Sequence, residues 1–245
     1  MEYLLIAVIG ILLGIIINYF SDVLPHASGL PAPTCAGCEH PFSVKDYLYN
    51  FRCSHCDARL PARNLLIILV SVGISFLMKL DPPALLGYWA ALPVTALLGI
   101  IFVIDLEHHA ILLKTTGAGF VLFLTYGIIF LGWKKSLLGA LGGLSITLVF
   151  YILGILISKL VGAIRKKKLS EVAFGLGDVL AATVFGLLVG WPAIIGVIII
   201  AIVSFALVSV ITLIVLILTK KYTAFSNALP FAPFLILGIA VIFYL

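Results

Sequence analysis

Long apolar stretches recur along the whole chain, separated by short polar or breaker-rich segments. They cover about residues 3–20, 64–79, 84–104, 116–132, 137–161, 174–190, 192–218 and 229–245. A helix that crosses a hydrocarbon core about 30 Å thick needs about 20 predominantly apolar residues. The pattern therefore predicts an all-α, polytopic membrane helix bundle of about eight transmembrane helices. Breakers mark the joints: Asp81-Pro82-Pro83, Gly132-Trp133, Gly190-Trp191-Pro192 and the run from Asn227 to Pro230. Trp133 and Trp191 suit an interfacial aromatic belt. The expected organisation is a first transmembrane helix at 1–20, one loop domain at 21–63, and a membrane core of seven helices at 64–245.

Composition supports this reading. Of the 245 residues, 63% are hydrophobic and 10% charged, against about 45–50% and about 25% in soluble domains. Mean hydropathy is +1.29. A soluble globule, a disordered chain and a coiled coil are excluded. The net charge of +5 does not indicate a nucleic-acid partner in a chain whose surroundings are membrane lipid, because basic residues there mostly set topology.

The first apolar run, Tyr3 to Phe20, follows Glu2 rather than a basic start, and no small-residue cleavage site follows it. It is expected to be a retained helix rather than a cleaved export signal. Lys and Arg then orient the bundle. One side, residues 21–63, 105–115, 159–178 and 219–228, holds twelve of them, including Lys45, Arg52, Arg59, Arg63 and the run Arg165 to Lys168. The other holds three: Lys79, Lys134 and Lys135. The rich side is expected in the cytoplasm, with both termini outside. The run Arg165 to Lys168 reads as an anchor against anionic lipid.

Loop 21–63 is too small to bury much of a core and needs a metal or disulfides. It holds all four cysteines, as Cys35-Ala-Gly-Cys38 and Cys53-Ser-His-Cys56. Each C-x2-C turn supplies two sulfurs to a tetrahedral zinc, and Gly37 suits the tight turn of the first. Two disulfides are the alternative, disfavoured in a reducing compartment. His40 and His55 are possible substitute ligands, but four thiolates already complete a closed, structural set. Lys45 and Arg52 lie between the knuckles and could offset the negative charge of the zinc–thiolate centre.

Carboxylates in or beside spanning helices are costly and usually functional. Asp105 closes the third span in Ile104-Asp105-Leu-Glu107-His108-His109, and Asp178 opens the sixth in Gly175-Leu-Gly177-Asp178. Both fall at the cytoplasmic end. Asp178 stands twelve residues before Gly190, about 18 Å at 1.5 Å per residue, so it dips below the cytoplasmic surface. Tilt or a kink must bring the two to one depth if they work together. Facing carboxylates share one proton, so one can act as base on water and the other as acid on a substrate carbonyl, as in aspartyl proteolysis. Gly175 and Gly177 leave room for a substrate backbone. The plainer alternatives are a helix cap at Asp178 and a solvated helix end at Asp105. His108 and His109 are candidates for zinc or proton transfer, although adjacent residues point to different helix faces.

These motifs together resemble the type IV prepilin peptidases, Gly-x-Gly-Asp type intramembrane aspartyl proteases that also include leader peptidase/N-methyltransferases. A first helix, a loop with paired C-x2-C, a span ending Ile104-Asp105-Leu-Glu-His and the Gly175-Leu-Gly177-Asp178 motif stand in the family's order. The resemblance implies a catalytic dyad of Asp105 and Asp178, and zinc held by Cys35, Cys38, Cys53 and Cys56. It implies cleavage of type IV prepilins and pseudopilins of type II secretion, after a glycine, at the cytoplasmic face of a bacterial inner membrane. It also implies N-methylation of the new terminus with S-adenosylmethionine in many members. Two segments depart from the family pattern. Ile111-Leu-Leu-Lys114 replaces a Leu-Pro-Asp or Ile-Pro-Asp stretch, and no Arg occurs in Asn18 to Pro25. Two other classes fit part of the pattern. A proton-coupled transporter could use the membrane aspartates in relay, but no clear internal repeat supports it. A non-catalytic zinc-binding membrane scaffold would tolerate Asp178→Asn, which a protease could not.

Overall fold

The computed structural model describes residues 2–26, 31–35, 37–38, 40–43, 46–47, 52–58, 62–165, 175–219 and 229–245. Among them the chain forms eight helices: α1 (Glu2–Val23), α2 (Ala62–Leu80), α3 (Gly87–His108), α4 (Leu113–Phe130), α5 (Trp133–Arg165), α6 (Leu176–Val189), α7 (Ala193–Thr219) and α8 (Ala232–Tyr244). The described elements are helical as expected. Six of the helices, α1 to α5 and α7, are long and apolar enough to cross a membrane. The other two are shorter, at 14 residues for α6 and 13 for α8, or about 20 Å each. Of the basic residues expected to orient the chain, Lys45, Arg59, Lys166 to Lys168, Lys220 and Lys221 lie outside the described residues, as does Asn227.

Helix ends move slightly from the apolar boundaries. The first helix continues past Phe20 through Ser21 and Asp22 to Val23, because a polar side chain at a helix end can stay helical when it has a partner. Ser21 Oγ donates to the Asn18 carbonyl at 2.9 Å, and Asp22 pairs with Arg63 at the start of α2.

Two compact units divide the chain, Met1–Val103 and Ile104–Leu245. In the first, α1 and α2 pack antiparallel along a stripe of small and polar residues spaced by four. A methyl group at Gly10 would stand 2.6 Å from Val72 Cα, and one at Gly14 2.7 Å from Ile68 Cα. One turn further on, Asn18 Nδ2 donates to the Asn64 carbonyl at 2.9 Å. At the other end Ser75 Oγ reaches the Ile6 carbonyl at 3.2 Å. Small residues at this spacing let helix backbones approach where lipid offers no hydrophobic drive.

In the second unit α6 is the central helix. It packs against α4, α5, α7 and α8, and nearly every residue from Val179 to Val189 is buried. Gly139 and Gly143 of α5 face Gly186 and Ala182 of α6 so closely that a methyl at Gly139 would stand 2.6 Å from Gly190 Cα. Ser136 Oγ donates to the Leu187 carbonyl at 2.8 Å. Phe123 of α4 packs on Phe185 with ring centroids 6.1 Å apart. Backbone sits against backbone here, so a side chain at Gly139 has no flexible neighbour to displace. Gly139→Leu is expected to remove folded protein from detergent size-exclusion profiles. Gly117→Leu, with open space around it, should leave the folded peak intact.

Candidate functional site

The sequence singles out two clusters, and each is formed within a single unit. In the first unit the two knuckles repeat one backbone closure. The Cys35 N–H donates to the His40 carbonyl, and the Cys53 N–H to the Ala58 carbonyl, both at 2.9 Å. In each the first cysteine bonds five residues ahead, which curls both sulfurs inward. A methyl at Gly37 would make ordinary contacts at 3.8 Å and beyond. His55 occupies the equivalent place in the second knuckle.

The four sulfurs lie within 4.8 Å of one another. Cys35 Sγ stands 3.6 Å from Cys56 Sγ, and Cys38 Sγ 3.7 Å from Cys53 Sγ. A tetrahedron with metal–sulfur bonds of about 2.3 Å has edges of about 3.8 Å. All four are free thiols, and these separations far exceed a disulfide bond of about 2.05 Å. The residues fit a tetrahedral metal. The Gly37 N–H lowers the Cys35 thiol to about 7. The His40 N–H also lowers Cys38, but burial and the neighbouring thiols outweigh it and push that thiol up to about 12. Four thiols this close cannot all ionise without a cation among them. His40 and His55 stack on one another at 5.0 Å rather than completing the sulfur cluster. Arg52 pairs with exposed Asp57 at 3.5 Å.

Around the sulfurs is a small core of Cys35, Phe42, Tyr47 and Cys53. Tyr47 ties this core to the helices, since its hydroxyl donates to Asp22 at the end of α1, where Arg63 of α2 also binds. Burial and then the charge of Asp22 push the Tyr47 phenol up from its ordinary value, so it remains a donor throughout the physiological range. No sequence signal picked out Tyr47, Asp22 and Arg63 as one node.

In the second unit, Asp105 lies in the last turn of α3 and is 4% exposed. Its Oδ2 accepts the main-chain N–H of Ala232, the first residue of α8, at 3.1 Å. The following His109 ends the helix in the left-handed region at φ 48°, with its N–H on the Asp105 carbonyl at 3.0 Å. Asp178 is the third residue of α6, and its Oδ2 accepts the Gly175 N–H at 3.0 Å. The Asp178 N–H returns to the Gly175 carbonyl at 3.2 Å. Gly175, not Asp178, is the N-cap; Asp178 is the third helical residue, whose carboxylate accepts the N-cap N–H, and this fixes the carboxyl at the helix start.

Both carboxyls belong to the second unit, at the end of α3 and the start of α6. Each is held through one oxygen by one backbone N–H. The glycines beside Asp178 are spatial rather than conformational. Gly175 has φ −87°, which any residue can adopt, but a methyl there would stand 3.3 Å from Asp178 Oδ2. A methyl at Gly177 would stand 3.2 Å from Ile111 Cβ. Ile111 belongs to the segment that departs from the family pattern, and it lies directly over the glycine motif. Neither Ile111 nor Ala232 was foreseen. Ala232 contributes through its main chain, which leaves no mark in the residue type.

Comparison with known proteins returned no match among curated proteins or solved structures. A family model described as the type IV leader peptidase family matches residues 92–217, just over half of the chain. The span includes both aspartates and both motif glycines, and precedes α8. With its membrane-length helices the chain is a multi-pass membrane protein, and it belongs to the type IV leader peptidase family, the aspartic peptidases of prepilin leaders.

Proposed function

We propose that Asp105 and Asp178 are the catalytic dyad of a membrane aspartyl peptidase that cleaves type IV prepilins and pseudopilins after a glycine. The observation that carries this reading is how the two acids are held. Both carboxyls fall inside the span that the family model matches, and each is held through one oxygen by a backbone N–H at a helix start. In the mechanism the pair holds one proton. The unprotonated carboxylate takes a proton from water as the oxygen attacks the scissile carbonyl, and the other carboxyl gives its proton to the carbonyl oxygen. The scissile amide then leaves as an amine after protonation by the dyad. Gly175 and Gly177 admit the substrate backbone beside Asp178.

In this reading 1–20 is the first transmembrane helix, 21–63 a cytoplasmic zinc domain and 64–245 the peptidase core. The excess of Lys and Arg supports an active site facing the cytoplasm and an N-terminus outside. Zinc on Cys35, Cys38, Cys53 and Cys56 would supply structural cross-linking, since four thiolates leave no coordination position for water. The family resemblance extends the reading to N-methylation of the new terminus with S-adenosylmethionine. The mass of the released N-terminus tests this directly, as one methyl group or none.

The motif glycines give a sharper test of the substrate path. Gly177→Ala sets a methyl against Ile111 Cβ and should lower kcat/KM about tenfold, through a small displacement beside the reacting carboxyl. Ile111→Gly in the same chain removes the Cβ that the methyl meets and should restore most of the loss. A double variant no better than Gly177→Ala would remove Ile111 from the account.

A further inference from the structure

We infer that the start of α8 is a positioning element for Asp105, in which the Ala232 N–H holds Oδ2 and leaves Oδ1 to water and substrate. The inference rests on the reading of Asp105 as catalytic and adds a residue outside the span that the family model matches. Ala232 is fully buried, and its N–H meets Oδ2 at 3.1 Å from a position 127 residues away in the chain.

The local sequence limits the N–H groups around this one. Pro230 and Pro233 flank the pair Phe231-Ala232, and proline has no N–H to offer. Phe234 turns its own N–H back to the Phe231 carbonyl at 3.0 Å. Ala232 is the first residue of α8, where a helical N–H has no intrahelical acceptor. The carboxylate satisfies that donor, and the helix N-terminus favours the negative charge.

The segment is also braced. Phe205 of α7 lies edge-on between Phe231 and Phe234, with ring centroids 5.5 Å and 5.3 Å away. Further along, Gly238 of α8 lies against Val197 of α7, where a methyl would stand 3.1 Å from Val197 Cα. A braced helix start whose N–H meets the carboxyl sets where that carboxyl sits. The partner aspartate has the same arrangement, one oxygen on one N–H, but takes it from its own helix start.

The test removes the donor without removing the side chain. Ala232→Pro does so at the helix position that tolerates proline best. Replacing Ala232 by lactic acid through nonsense suppression swaps the N–H for an ester oxygen and leaves φ unconstrained. Both are assayed as full-length protein in lipid, on a prepilin peptide, beside Ala232→Gly and Asp105→Ala. The expected result is a kcat lowered about 10- to 100-fold, the scale of a misplaced reacting group, with KM within about twofold of the parent. Ala232→Gly, which keeps the donor, should recover most of the rate. An ester variant with parental kcat overturns the positioning role whatever Ala232→Pro does, because the proline could act through the fold. Cleavage by Asp105→Ala would instead overturn the catalytic reading on which the inference rests.

Discussion

Asparagine at Asp105 or Asp178 is expected to lower prepilin cleavage by at least about 10³-fold, on the scale of lost general acid–base chemistry. Asparagine is the informative substitution because of the two backbone hydrogen bonds. Its carbonyl oxygen can still accept from Ala232 in one case and from Gly175 in the other, where the carboxylates do so now. The helix starts then keep their partners, and only the proton chemistry is lost. Alanine at 105 would leave the buried Ala232 N–H unpaired, at a cost of about 1–3 kcal/mol, and would mix stability with catalysis. Circular dichroism and size exclusion should therefore be parental in the asparagine variants while turnover is lost. A folded Asp178→Asn variant that still cleaves would remove Asp178 from the dyad.

The second large effect is on the metal. Cys35→Ser with Cys53→Ser takes one ligand from each knuckle, and both are buried in the core around the sulfurs. Bound zinc should fall from about one ion per chain to near zero. The described core of that region holds Phe42 and Tyr47 besides the cysteines, too little apolar surface to fold alone. Structural zinc sites contribute about 10–16 kcal/mol, so metal loss should expose residues 31–58 to protease. Because Tyr47 links this core to Asp22 and Arg63, the ends of α1 and α2 should loosen with it. Any methylation should fail before cleavage does. Equal zinc content in variant and parent would refute the sulfur cluster as a metal centre.

Much of this was legible from residue types. The apolar runs marked eight helices among the described residues, because a bilayer imposes one chemistry on them, but six of them have spanning length and α6 and α8 are shorter. Paired C-x2-C turns marked the sulfur cluster because the spacing itself builds a knuckle. Ile104-Asp105 and Gly175-Leu-Gly177-Asp178 stood out because acids are rare in such a chain. The hidden parts depend on main-chain groups or on depth of packing. The Ala232 N–H bound to Asp105 comes from 127 residues away, and alanine there looks like any apolar residue. The glycines at 10, 14, 139 and 143 did carry a signal in their spacing of four, but their backbone partners are visible only in the fold.

The most direct test of the central claim is a single cleavage assay. Purified protein in lipid is given a prepilin peptide with a basic leader, a glycine and an apolar helix, with Asp178→Asn alongside. Mass spectrometry then reads the new N-terminus. The account predicts a cut after the glycine by the parent alone. No cut by a folded, zinc-loaded parent across several pilin sequences, or equal cutting by Asp178→Asn, would contradict it.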